Sequence, residues 1–577
     1  MSAAPRARPA SEWEAGSALP RPVAPAAAAP PRWVRVAFIG TQTVFDLSLG
    51  ELLTVRFHPL QDARHEDARP PHVEMLLPAS TPLPLLDSGA GFSILTYNVL
   101  MPNSADGWWI YKYYGPDTPA EATTWDHRQA LLREQVVGSG ADIVCLQECS
   151  PQSFESDWAW LADEGYDCAL LAKGRMRPAT FWKRERWELC QADGSDLPVA
   201  EEAEAEAADA ADRGGGSPRA DKGAHGVLHG DRTLTTILRP LGPKGTAVAG
   251  QPAPLWVINA HLSAGPEARR RLRQVHEALE TARKLIAKTA GGGKAAGGKA
   301  GGGGGKGGSA SAAAMPARVV VAGDFNSQGH SAVRELLEAG EVLPSFRESG
   351  DPTEAAQAES EVTSKPKRQA LGRFADAQAV ACAASGVARP PTLIAAELMS
   401  RMQQADGRPS EALRLALDEA FARLSSDGAT LSDEEQAAWL LQVNKALGRG
   451  SEHRAALAAR EARGGAPLTR EDFHAVYAAE LAQGKFWGVE HDLRVLRGAG
   501  LREEGAAPFT AAFDYIWFAT DAMQLVGVQP GLEEDELAEL LSGRRYGLPD
   551  EKHASDHVPV AAAFAFVPPT AEGESSK

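Results

Sequence analysis

Eight polar side chains stand where apolar runs begin or end. Asn98 closes FSILTYN, Glu148 closes ADIVCLQE, His261 closes LWVINAH, Asp324 and Asn326 follow RVVVAG, Asp514 opens DYIWF, and Asp556 with His557 precedes VPVAAAFAF. Taken singly, each has two readings. Asn98 can satisfy backbone groups at a turn or serve a site. Glu148 follows a buried run, where an unpaired carboxylate is costly, so it wants a cation. That cation is a salt-bridge partner or a hard ion such as Mg²⁺, which takes one or two carboxylates and keeps several waters. His261 reads first as a satisfied core histidine and second as a catalytic one, with Asn259 adding little. In GDFN, Gly323 permits close backbone approach, Asp324 can orient or deprotonate a water, and Asn326 can donate to a phosphoryl oxygen. An Asx turn uses the same residues. Asp514 accepting from His557 would fix its tautomer and favour the imidazolium, placing a proton-bearing donor at a phosphate; a purely structural pair is the alternative. Together these amides, carboxylates and imidazoles are what metal-assisted attack on a phosphodiester needs.

The elements that must hold them show as texture. From Gly91, buried apolar strands alternate with amphipathic helices such as ARRRLRQVHEALETARKLI, whose Leu272, Val275, Leu279 and Ile286 recur at helical spacing. Strands mixed with helices mean an α/β core, placed over residues 90–385 and 508–568. Residues 33–88, with WVRVAFI, LLTVRFH and VEMLL between breakers, read as a small β-rich annex. Residues 1–32 are rich in Ala, Pro and Arg and read as a disordered tail. Organellar targeting is the sharper alternative, against which Glu12 and Glu14 count. Over residues 388–502 the strands vanish, and EALRLALDEAFARL, EEQAAWLLQVNKAL and REDFHAVYAAEL are helical in period, which predicts a helical insertion. A low-complexity stretch from Glu201 and a Gly/Lys-rich loop over residues 291–309 are flexible loops by composition.

The 577 residues allow roughly three to five domains of about 100 to 200 each. A net charge of −17 excludes a whole-surface cationic clamp for nucleic acid, so a polyanion must be met locally. Arg269, Arg270, Arg271 and Arg273 offer such a patch, or merely the solvated face of a helix. Trp108, Trp109, Tyr111, Tyr113 and Tyr114 can stack bases or pack a loop. Five cysteines without a CxxC pair argue against a disulfide framework or zinc cage and for a reducing, intracellular and cytoplasmic setting. No apolar run reaches ~18 residues, so no membrane span is expected.

In order, TYNVL, LQE, NAHL, GDFN, FDYIWF and SDHVPV resemble the motif series of the endonuclease/exonuclease/phosphatase superfamily. The resemblance implies an α/β (α+β) fold, a two-layer β-sandwich flanked by helices, with a Mg²⁺-dependent phosphoesterase site. TTWDHRQALL, RPATFWKRERWEL and GLPDEKHASDHVPV are similar to its deadenylase and nocturnin branch. The Cys-Asp-Arg context of the inositol polyphosphate phosphatases is replaced here by FDYIW. Carried over, Glu148 becomes the principal metal ligand, with Asn98 and Asp556 near the metal or its waters. Asp324 aligns or deprotonates the water. Asn326, His261 and His557 become phosphate donors, with Asp514 behind His557. Mg²⁺ is the implied cofactor, with Mn²⁺ as its substitute. Deadenylases that dock onto a large complex do so through a leucine-rich repeat; none is read here, and that assembly is not expected.

Within the helical insertion, SSDGATLSDEE and GGAPLTREDF resemble the loops of an EF-hand pair. No register supplies the carboxylate count of a tight Ca²⁺ loop, so a structural EF-hand-like pair that packs on the core or a protein partner is expected, without Ca²⁺. The leading function is a Mg²⁺-dependent 3′-5′ exoribonuclease of deadenylase type acting at an RNA 3′ end. The alternative is a small-molecule phosphatase for a nucleotide, dinucleotide or other phosphometabolite. A regulatory scaffold with an inactive core comes last, because the motif residues are all present.

Overall fold

The computed structural model describes residues 33–37, 43–48, 54–59, 76–197, 226–242, 246–247, 253–291, 316–348 and 361–567. The predicted tail, the low-complexity stretch from Glu201 and nearly all of the 291–309 loop lie outside them. The chain divides into Met1–Val73 and Glu74–Lys577. In the first unit, Trp33–Ala37, Thr43–Ser48 and Thr54–Pro59 form an antiparallel three-stranded meander in which Phe45 is in register with Val36 on one side and Phe57 on the other. Residues 76–88, expected in the annex, belong to the second unit. Leu77 N donates to Val528 O at 2.8 Å, and Leu83 N to Ser139 O at 3.0 Å.

The second unit is built on two sheets. One runs in the order Met523–Gln529, Val560–Phe566, Gly91–Asn98, Ile143–Cys149, Arg177–Lys183, Tyr166–Leu170. The other runs Thr246–Ala247, Thr233–Gly242, Leu255–His261, Arg318–Asp324, Asp514–Ala519, Phe374–Asp376, with two short strands pairing on Thr233–Gly242. Their inner faces meet. Phe518 packs on Phe564 with ring centroids 4.9 Å apart. The Asn259 amide crosses to Leu146 O (3.2 Å) and Ala179 O (2.8 Å), while Gln147 Nε2 donates back to Asn259 Oδ1 at 2.9 Å. A fully buried amide pair needs such partners, and here they bind one sheet to the other.

Strand direction gathers the polar residues. Each sheet has a central parallel pair, Gly91–Asn98 with Ile143–Cys149 and Leu255–His261 with Arg318–Asp324. Parallel strands finish at the same end. The antiparallel neighbours Asp514–Ala519 and Val560–Phe566 begin there, in registers Asp324↔Asp514 and Val560↔Thr96. Every strand-end motif therefore opens on one edge of the sandwich.

Helices cover the outer faces. Trp125–Gly138 starts at Thr124, whose side chain accepts from His127 N, and it buries Leu132 and Val136 in the cluster that holds Leu95 and Val144. Ala268–Gly291 buries Leu272, Val275 and Leu279 as its spacing predicts, with Ile286 half-buried. The basic run on that helix is engaged within the chain. Arg271 is buried against Glu348 at 3.1 Å, Arg270 and Arg273 reach Asp231 at 3.3 Å, and Arg269 Nε donates to Glu361 O at 2.7 Å.

Between Met399 and Arg497 helices share one cluster built on Leu417, Phe421, Trp439, Phe473 and Tyr477. Ser432 with Glu435, and Thr469 with Asp472, close capping boxes at two of their starts. Thr430–Leu431 pairs antiparallel with Leu468–Thr469. In the loop before it, Asp427 accepts from Ala429 N, Thr430 N and the Ser425 hydroxyl. Leu393–Ala395, which sequence periodicity placed among these helices, is instead a strand paired with Phe509–Ala511. The Thr392 hydroxyl beside it accepts from Phe513 N and Asp514 N, and Ile394 N donates to Asp556 O. Among the described residues no helix is long and apolar enough to cross a membrane.

Candidate active site

The site begins with a close backbone approach. Gly323 has φ +137° and lies opposite Ala260 in the parallel pair, where an added Cβ would fall 1.9 Å from Ala260 O. A side chain cannot enter without separating the strands that carry His261 and Asp324. Gly323→Ala should therefore cost on the order of 3 kcal/mol or more. Urea unfolding measures this, and a midpoint equal to the parent's would contradict the close approach.

The structure brings all eight strand-end residues together. Asn98 is buried, and its amide donates to Glu148 Oε1 (3.3 Å) and Asp324 Oδ2 (3.0 Å) while its Oδ1 accepts from Leu100 N. Glu148 sits at φ +67° and its Oε2 accepts from Met101 N at 3.2 Å. Asn326, at φ +47°, donates from its backbone to Asp324 Oδ1 (2.8 Å) and from its amide to Asp324 Oδ2 (3.0 Å) and Leu262 O (3.1 Å). Left-handed backbone at two non-glycine residues costs energy and is held here by this bonding. The Asx turn that GDFN also allows is thus present, and it fixes the Asp324 carboxylate.

The two imidazoles differ. His557 Nδ1 lies 2.7 Å from Asp514 Oδ2. Burial alone would lower its pKa, but the Asp514 charge and hydrogen bond, helped by Asp324 and Asp556, raise it to about 10. It is an imidazolium at neutral pH, with Nε2 4.0 Å from Asp324 Oδ2. His261 is pushed down to about 3, chiefly by burial and then by the charges of Arg232 and His557. It is neutral, with Nε2 3.7 Å from Glu148 Oε1 and 3.8 Å from Asp324 Oδ2. Burial, with Asp514 adding, lifts Asp324 to about 7 against the pull of His557. In Asp514→Asn the charge holding the His557 proton is gone, so the proton should leave at a pH more than one unit lower. Imidazole ¹⁵N titration reads this directly, and an unmoved midpoint would contradict the pairing.

Sequence reading missed two cations. Arg128 is fully buried on the Trp125–Gly138 helix and donates to Val99 O (2.8 Å), Leu100 O, Met101 O (3.1 Å), Asn103 Oδ1 (2.8 Å) and Ala554 O (2.8 Å). It joins the loop after Asn98 to the loop before Asp556. Arg232, half-buried at φ +58°, brings positive charge to His261, and its carbonyl accepts from His261 N at 3.0 Å. TTWDHRQALL resembles a branch motif without marking Arg128 as a site residue, and HGDRT carries no motif at all.

The donor set fits a hard divalent cation. The Glu148 side chain is 15% exposed and its pKa is raised first by burial and next by the Asp556 charge, so two carboxylates confront one another. Asp556 is raised by burial as well. No group of three or more His, Cys, Asp or Glu among the described residues is set to enclose a metal. Glu148, Asp556 and the Asn98 amide are the groups that would hold such a cation.

A model of the Endonuclease/Exonuclease/phosphatase family matches residues 95–557. The chain is similar to the CCR4-Not complex 3'-5'-exoribonuclease subunit Ccr4 of Kluyveromyces lactis, 25% identical over 277 residues, which is 44% of this chain and 30% of that protein. It is also similar to the subunit of that name from Saccharomyces cerevisiae, 25% identical over 265 residues, 44% of this chain and 27% of the relative. The matched segment thus spans less than a third of either relative. Among solved structures, ANGEL2, a 2',3'-cyclic phosphatase in complex with adenosine-2',3'-vanadate, aligns with a TM-score of 0.41 at 13% identity over 82% of this chain and 96% of that one. The human Nocturnin catalytic domain aligns at 0.33 and 11% identity over 84% and 96%.

Proposed function

The chain belongs to the endonuclease/exonuclease/phosphatase family, and from that premise we propose a divalent-metal-dependent hydrolase of phosphate esters that acts foremost at the 3′ end of RNA. The observation that carries this reading is the convergence, at one edge of the sandwich, of the Asn98–Glu148–Asp324 hydrogen bonds with the Asp514–His557 pair. Asp324, with a pKa of about 7, is poised to take a proton from an attacking water at neutral pH. Asn98 and Asn326 hold its carboxylate in one orientation. His557 presents a proton and positive charge to a phosphoryl oxygen, kept charged by Asp514. His261 is suited to donate as a neutral imidazole. Glu148 and Asp556, with Asn98, would hold Mg²⁺, which when bound neutralises charge on the phosphoryl and leaving oxygens.

The RNA preference is supported by similarity to relatives named 3'-5'-exoribonuclease subunits. A second reading, a small phosphorylated metabolite as substrate, is favoured by the net charge of −17 and by the engagement of Arg269 to Arg273 with acidic and backbone partners. The test is a panel offered with Mg²⁺: a poly(A) oligonucleotide, a mixed-sequence RNA, and phosphomonoesters including 2′-phosphorylated dinucleotides. Shortening of the RNAs from the 3′ end is expected. Turnover of the small esters alone would select the second reading, and turnover of none would leave the scaffold reading.

A further inference from the structure

Lys112 belongs to the loop that follows Asn98, yet its ammonium is buried at 1% exposure among acceptors from the distant helices. Asn444 Oδ1 lies at 2.9 Å, Asp492 Oδ1 at 3.0 Å and Glu452 Oε1 at 3.1 Å, on residues 332 to 380 positions away. A buried charge is tolerated only when paired and fully hydrogen-bonded, and two carboxylates with an amide meet that condition. Around it the Tyr111 hydroxyl donates to Val443 O at 2.9 Å, and Arg494 Nη2 donates to Tyr114 O at 3.1 Å. The loop has little regular structure of its own beyond two short 3₁₀ turns. Its path past Asn98 is therefore set by the helical segment.

Tyr113 packs against the cluster of Leu100, Ile110 and Tyr114, and Leu100 directly precedes Met101, whose N–H donates to Glu148. Tyr113 stacks on Trp487 of the Phe486–Arg497 helix, with ring centroids 4.2 Å apart and planes 21° from parallel, and both rings are half-buried. Burial, and after it the charges of Asp556 and Glu148, hold the Tyr113 hydroxyl well above the usual phenol range. A rigid pair of aromatic faces, part open to solvent and within reach of the charges of a phosphate site, is a platform for another flat ring.

We propose that the helical segment is a wall of the active site: the Tyr113–Trp487 stack receives an unstacked nucleobase beside the scissile phosphate, and Lys112 is the positioning residue that seats this wall. The proposal rests on the phosphoesterase reading for what lies next to the base. Base stacking on an aromatic corresponds to about a 5- to 150-fold effect. The full chain is assayed on a nucleotide substrate and on a base-free ester, ribose 5-phosphate, and AMP binding is measured by titration calorimetry without metal. In Trp487→Ala, selectivity in kcat/KM for the base-bearing substrate should fall by that factor and AMP binding weaken in parallel, while Trp487→Phe retains both. Lys112→Met, if folded by circular dichroism, should show the same selective loss; if it unfolds, the two Trp487 variants decide. Unchanged selectivity and AMP affinity in Trp487→Ala overturn the proposal while leaving the phosphoesterase reading in place. If no ester is hydrolysed, that reading fails, and calorimetry alone decides whether the stack binds a base.

Discussion

Glu148→Gln is expected to lower turnover by on the order of 10² to 10³ or more without unfolding the chain, as removal of a principal electrostatic stabiliser does. The substitution keeps the side chain's shape and leaves its oxygen able to accept from Asn98 Nδ2, but it removes the charge that faces Asp556. Burial already opposes that charge, so its loss should leave the thermal midpoint equal to the parent's or above it. Lowered turnover with a retained midpoint separates a site defect from a folding defect. Near-parental turnover at saturating Mg²⁺ would remove Glu148 from the metal site.

The second large effect concerns Arg128. Arg128→Met should cost several kcal/mol, at about 1–3 kcal/mol for each buried acceptor left unsatisfied. The methionine fills much of the volume but donates nothing, leaving the carbonyls of Val99, Leu100, Met101 and Ala554 without their guanidinium. Those carbonyls flank Asn98, the Met101 N–H that bonds Glu148, and Ser555, whose hydroxyl donates to Asn98 O at 2.7 Å. Below its melting temperature the variant should therefore also lose activity. Urea unfolding within about 1 kcal/mol of the parent would show that the clamp is dispensable.

What sequence could reveal was decided by distance along the chain. Asn98, Glu148, His261, Asp324 and Asp514 announce themselves because each polar residue terminates or opens an apolar run, a purely local signal, and parallel pairing then brings such ends together. The α/β core follows from the same runs, while the two-layer sandwich is implied by the resemblance of the six ordered motifs. Long-range partners left no such signal. Arg128 bonds Ala554 across 426 positions and Lys112 meets Asp492 across 380, so nothing local in the sequence marks either role. Leu393–Ala395 is a strand because Phe509–Ala511 and the backbone of Asp556 offer it partners, which outweighs the helical spacing of its surroundings. The residues at 76–88 join the catalytic unit through backbone bonds to Val528 and Ser139, invisible to a boundary drawn from composition. The arginine run 269–273 shows the reverse: a conspicuous charge cluster whose partners, Asp231, Glu348 and the Glu361 carbonyl, lie far from it in sequence.

Under the proposed function, Glu148, Asn98 and Asp556 hold a divalent cation without which phosphate esters are not hydrolysed. This is tested most directly by following a 3′-labelled single-stranded RNA and the phosphomonoester panel with the purified full chain in Mg²⁺, after EDTA, and after Mg²⁺ is restored. Hydrolysis is expected to disappear with EDTA and to return with Mg²⁺. Hydrolysis that continues undiminished in EDTA would contradict it.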